Sequence, residues 1–152
     1  MPIARPADAR AVAAYGFKGF NALIGHRVAY WRPGFVEMHL TVHKALCNAN
    51  GLVHGGVLMT LLDGASGLAC TFNEDATRRR LSVTLAFTTQ FIKAAREGDE
   101  LTVLGAWRPS TSQSTFACET EIYDQHKELI ATGAGTFRFL KGERSDGTLT
   151  FA

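Results

Sequence analysis

Between Val28 and Val42 apolar residues alternate with polar or small ones, as Val28 and Tyr30 and then Val36, Met38, Leu40 and Val42, with Pro33-Gly34 between the two runs. A period of two marks strands and Pro-Gly supplies a turn, so the stretch predicts a β-hairpin. The period changes after Val53. Leu58, Leu61, Leu62, Ala65, Leu68 and Ala69 recur at helical spacing and form one wide apolar face, which predicts a helix from Gly55 to about Cys70. That segment has almost no residues of exposed type, so the helix is expected to be central and buried. Polar sequence follows from Asn73 to Arg80. Four further strands are then predicted at Leu81–Ile92, Glu100–Trp107, Ser114–Tyr123 and Glu128–Phe139. Their short links, in chain order, favour antiparallel pairing. Ahead of the hairpin, the segment of about 7–24 reads as helical, with Val12, Tyr15, Phe20, Leu23 and Ile24 as buried positions. Gly16 and Gly19 are its weak points and Gly25 its stop. The tail of about 141–152, with Gly142, Ser145, Asp146 and Gly147, is expected to be loose. Helix, hairpin, buried helix and four strands make an α+β domain in which the central helix covers one face of a sheet.

Composition narrows the class. The 152 residues suit one domain, 1–152, and the balance of 46% apolar and 20% charged residues is that of a globular chain. A net charge of +2 with scattered Lys and Arg argues against a nucleic-acid surface. The one dense basic cluster, Arg78-Arg79-Arg80, is either a solvated loop or an anchor for phosphate. Cys47, Cys70 and Cys118 are odd in number and lack CxxC spacing, which indicates neither disulfides nor zinc but reduced thiols in a cytoplasmic protein. With no signal-type apolar run and no stretch near the roughly 18 residues that span a bilayer, secretion and membrane insertion are disfavoured.

The chemistry concentrates in Asn48-Ala-Asn-Gly-Leu-Val-His54-Gly55-Gly56 and the helix that follows. Two glycines open a buried helix whose first N–H groups lack internal partners and carry the positive end of its dipole, an arrangement that can hold a developing oxyanion. Asp63 is anomalous, because aspartate is a poor helix-interior residue and this helix has no polar face to receive it. Its own face is lined by Gly56, Thr60, Gly64 and Gly67. Each helical glycine costs about 1 kcal/mol relative to alanine, so room for a ligand or for a second helix has to offset them. Asp63 is therefore a candidate functional carboxylate, whereas His54 is either a capping or a catalytic histidine. Eight residues separate Gly55 from Asp63, which is roughly 12 Å along a helix. One copy cannot bring both to one carbonyl. Two copies packing their helices antiparallel about a two-fold axis can.

The pattern Asn48-x5-His54-Gly55-Gly56-x6-Asp63 resembles the hotdog-fold acyl-CoA thioesterases of the phenylacetate-pathway type, over about Val28 to Phe139. The resemblance implies a hotdog fold, a curved antiparallel sheet wrapped around a long central helix, with homodimers joined sheet edge to edge and often paired as tetramers. It implies CoA bound in the dimer cleft as part of the substrate, with no separate cofactor. Carried over, Asp63 is the general base or nucleophile and the Gly55 N–H the oxyanion donor, with Gly56 beside it, while Asn48 and His54 position water or the thioester carbonyl. The hydroxyl that faces the carboxylate from the following strand maps to Thr84, or to Ser82 on the same face two residues away. Met59, Phe72, Phe87 and Phe91 are either acyl-pocket lining or core. The alternatives are a non-catalytic acyl-CoA sensor and a hotdog dehydratase or hydratase. The Pro-Gly-His-Phe-Pro type loop of the carrier-protein dehydratases is absent, and the segment before Val28 is short for a DNA-binding domain.

Overall fold

The computed structural model describes residues 2–13, 15–73, 75, 79–108, 112 and 114–140 of the chain. Arg78 and the tail 141–152 fall outside the described residues. The hairpin forms as β2 (Arg27–Arg32) and β3 (Phe35–Thr41), turning at Gly34, whose φ of +81° is open to glycine at no steric cost. The central helix α2 runs Gly55–Thr71, and four strands follow: β4 (Ser82–Phe91), β5 (Glu100–Arg108), β6 (Thr115–Tyr123) and β7 (Leu129–Phe139).

The N-terminal helix is much shorter than the sequence predicts. Among the described residues of this segment only α1 (Phe20–Ile24) is helical, with Phe20 and Leu23 exposed rather than buried, and upstream Arg10–Ala11 forms a short strand, β1, that pairs antiparallel with Trp31 and Tyr30 at the edge of β2. Gly19, at φ +57°, separates the two parts. The segment between them lies against the core through Val12, Tyr15 and Phe17. Contacts with the sheet and the end of α2 thus override a modest helical propensity.

All strands are antiparallel and form one sheet ordered β1-β2-β3-β5-β6-β7-β4, with α2 packed against one face. This is the hotdog arrangement. Short links do not make neighbours of β4 and β5, since β4 pairs with β7 and β3 with β5. The connection crosses the end of the sheet, held by Val53 N–H to Ala95 O (2.9 Å) and an isolated bridge between Leu52 and Arg96. Ala95 is buried there. β4 is consequently an edge strand, and Leu81, Leu85, Phe91 and Ile92 on or beside it are exposed, as is Met59 of α2.

Leu58, Leu61, Leu62, Ala65 and Ala69 of α2 enter the core as their spacing predicts, among Met38, Val103, Phe116, Ile122 and Phe137. At Gly105 the helix passes close over the sheet. A Cβ added there would lie 2.7 Å from Ala65 O. Burial of these apolar side chains contributes the bulk of the favourable free energy, at about 25 cal/mol per Å² removed from water. All three cysteines are free thiols. Among the described residues, no helix is long and apolar enough to cross a membrane.

Candidate active site

The start of α2 is built by His54 and two glycines. His54 is the N-cap residue, with an extended backbone, and its Nδ1 accepts from the Gly56 N–H at 2.9 Å. An Nδ1 that accepts leaves Nε2 to carry the ring's hydrogen. Gly56 is needed for this fold-back, because a Cβ there would lie 3.0 Å from the same Nδ1. With the Gly56 N–H taken, the Gly55 N–H is the free donor at the helix start among the described residues. Phe91 of β4 lies over it, 3.3 Å from where a Gly55 Cβ would be. Asn48 organises the preceding loop: its Oδ1 accepts from the N–H groups of Asn50 (2.9 Å) and Leu52 (3.2 Å).

Asp63 sits in the middle of α2, half-buried. The hydroxyls of Thr60, Ser66 and Thr71 donate back to carbonyls one turn earlier on their own helix. Asp63 instead receives a hydrogen bond from another element, Thr84 Oγ1 to Asp63 Oδ1 at 2.7 Å. Ser82 lies on the same side, opposite Gly67, and lines the same cleft of about 250 Å³ as Asp63, Gly64 and Thr84. A β-bulge brings this about. Thr84 pairs with Phe137 and Ala86 with Thr136, so Leu85 is an extra residue. Strict alternation would put Thr84 and Phe87 on opposite faces, yet Thr84 reaches Asp63 and Phe87 packs against Phe137.

The other predicted residues do not meet in one cleft. Asn48, Gly55 and Phe91 line a second cleft with Leu52 and Leu58, which does not include Asp63. Phe72 lines the Asp63 cleft. Phe87 covers Gly133 and Gly135 of β7, where any Cβ would meet its ring at 2.6 Å and 2.4 Å. Arg79 and Arg80 line the Asp63 cleft and are held by ring faces, Arg79 over Tyr15 and Phe72, Arg80 over Phe139. Arg79 Nε also donates to Asn73 O at 2.7 Å. Tyr15 lines this cleft too, although it stands 48 positions before Asp63 and has no motif of its own.

A profile of the Thioesterase superfamily matches residues 50–131. A putative esterase of Archaeoglobus fulgidus is 27% identical over 114 residues, 75% of this chain and 70% of that protein. The medium/long-chain acyl-CoA thioesterase YigI of Escherichia coli strain K12 is 24% identical over 131 residues, 78% of this chain and 83% of its own. Among solved structures, the E. coli PaaI protein from the phenylacetic acid degradation operon superposes with a TM-score of 0.71. It is 26% identical, covering 80% of this chain and 83% of that one.

Proposed function

The chain belongs to the thioesterase superfamily, and on that premise we propose that it hydrolyses an acyl-CoA thioester to the free acid and CoA. The observation that carries this reading is the Asp63 carboxylate, bonded to Thr84 in an open cleft on a helix whose own N-terminus offers the Gly55 N–H. Asp63 acts as general base on water, or attacks the thioester carbonyl itself. In the first route, water loses a proton to Asp63 as its oxygen bonds to the carbonyl carbon. The resulting oxyanion is held by the Gly55 N–H, and its collapse breaks the C–S bond and releases the CoA thiolate, which takes up a proton. Thr84 fixes one carboxylate oxygen and leaves the other for the reacting water. Asn48 and His54 shape the oxyanion side, Asn48 through its loop and His54 by capping the helix. Water is the one co-reactant required.

The two halves of this machinery lie in different clefts of one chain, roughly 12 Å apart along α2. The working site therefore takes Asp63 from one copy and Gly55 from another. The open β4 edge with its exposed apolar side chains supports a homodimer formed there, and pairing of two such dimers would give the tetramer. Arg79 and Arg80 are both exposed and both engaged within the chain, Arg79 through Nε on Asn73 O and each guanidinium over an aromatic ring, which favours a solvated loop over a phosphate anchor.

The test is release of free thiol from a panel of aliphatic and aromatic acyl-CoAs by the wild type and by Asp63→Asn. Turnover that falls about a hundredfold or more in the variant supports the assignment. An unchanged rate removes Asp63 from the chemistry. Saturable acyl-CoA binding without turnover would instead identify a sensor.

A further inference from the structure

Starting at Asp63, the cleft follows one face of α2 past Gly64, Gly67, Leu68 and Thr71 to Phe72, nine positions on. That is about 13 Å of helix. Its start is polar, with Asp63 and Thr84 beside Phe137, and toward its far end Leu68, Phe72 and the Tyr15 ring supply apolar surface next to Thr71, Arg79 and Arg80. Nothing lies within 4 Å of a Cβ placed on Gly64, and at Gly67 only Ser82 Oγ does, at 3.8 Å. The helix is therefore bare on this side, and an apolar chain can lie along it.

The far end is closed by residues outside the stretch that the family profile matches. The segment after β1 is tied to the sheet by the pairing of Arg10 and Ala11 with β2 and by Val12 N–H to Ala29 O at 2.9 Å. It then delivers Tyr15 to the C-terminal end of α2. The Tyr15 ring meets Phe72 edge-on at 5.1 Å and Phe17 at 4.7 Å, and Arg79 lies over it at 4.8 Å. Phe72 is in turn braced by Trp31 at 5.0 Å. Aromatic packing of this kind fixes the position of a ring more firmly than an aliphatic contact does.

We propose that Tyr15 is the end wall of the acyl pocket, so that the N-terminal strap sets the longest acyl group the Asp63 cleft accepts. The proposal rests on the thioesterase reading for the identity of the ligand. The thioester carbonyl sits at Asp63, the acyl chain runs toward the C-terminus of α2, and the CoA arm leaves by the open side of the cleft. A chain that reaches the wall gains apolar contact with each added methylene. One that passes it must displace a braced ring.

The experiment compares wild type, Tyr15→Ala, Tyr15→Trp and Tyr15→Phe on straight-chain thioesters from butanoyl to hexadecanoyl, as CoA and as pantetheine esters, reading kcat/KM. Binding of alkyl-CoA thioethers of the same lengths is measured by calorimetry, which needs no turnover. Tyr15→Ala should move the preferred length upward, changing the long-to-short ratio by about tenfold or more. Tyr15→Trp should move it downward, and Tyr15→Phe, which keeps the ring, should leave it in place. The shift should be the same for CoA and pantetheine esters. An unmoved length profile in both Tyr15→Ala and Tyr15→Trp overturns the proposal, as does an effect confined to CoA esters, which would place the CoA arm at Tyr15. Loss of turnover in the wild type refutes the thioesterase reading alone. The thioether profile then still decides whether Tyr15 walls the chain.

Discussion

Mixing two inactive variants, Asp63→Asn and Gly55→Val, should restore activity. The first removes the carboxylate's basicity and keeps Oδ1 as an acceptor for Thr84, so α2 and β4 stay joined. The second places a branched side chain where the Gly55 N–H must meet the substrate. Its Cβ would lie 3.3 Å from Phe91 Cζ, but that ring is 55% exposed and at the end of a flexible side chain, so the chain still folds. Each homodimer has one lesion in each of its sites. In a mixed dimer, one shared site collects both lesions and the other has neither. Random exchange makes about half the dimers mixed, each with one intact site, which returns about a quarter of wild-type activity per total site. The assay is thiol release from the best acyl-CoA before and after subunit exchange, with native mass spectrometry reporting the mixed species. Both parents should be reduced about a hundredfold, so recovery would stand far above background. If mixed dimers form and activity stays at parental level, each site is built within one chain, and the argument from the 12 Å separation is wrong.

The Gly105→Ala variant should lose about 1–3 kcal/mol or more of stability, because its Cβ would press on backbone, 2.7 Å from Ala65 O and 2.9 Å from Ala65 C. Urea unfolding within about 0.5 kcal/mol of wild type would show that α2 can lift from β5 at little cost. His26 should make the fold acid-sensitive. Neither of its ring nitrogens has a hydrogen-bond partner among the described residues, and burial lowers its pKa from 6.5 to about 4. Above about pH 6.5 the ring is neutral folded and unfolded, and the proton costs nothing. As pH falls toward 4, the unfolded chain takes the proton while the folded one refuses it, so stability drops by up to roughly 3 kcal/mol and this loss levels off below. Replacing the ring in His26→Leu should flatten that part of the curve, and parallel curves for variant and wild type would contradict it.

Much of this arrangement is legible before any coordinates. The apolar face of α2 and the alternation in β2, β3 and the last four strands are strong local signals, and their bounds agree with the observed elements to within one or two residues. Asp63 stands out as a charge on an apolar helix. Other features depend on contacts between distant segments. Ala-rich sequence around residues 7–14 favours a helix in isolation, yet pairing with β2 and packing of Tyr15 on Phe72 win. The crossing from β4 to β5 follows from where Ala95 finds cover, not from link length. The place of Tyr15 in the cleft has no local signature at all.

The extra residue in β4 has a consequence for how the strand tolerates changes of length. Inserting or deleting a residue elsewhere in an alternating strand turns every side chain beyond it to the other face, which here would part Thr84 from Asp63 or Phe87 from its glycines. Leu85 is different, because Thr84 and Ala86 already pair with the adjacent partners Phe137 and Thr136. Removing Leu85 would close the ladder into a regular one and leave Ser82, Thr84 and Phe87 facing as they do. Within Ser82–Phe91 this bulge is the place where the loss of one residue keeps the register, and related chains that lack it would keep the hydroxyl and the aromatic ring in step.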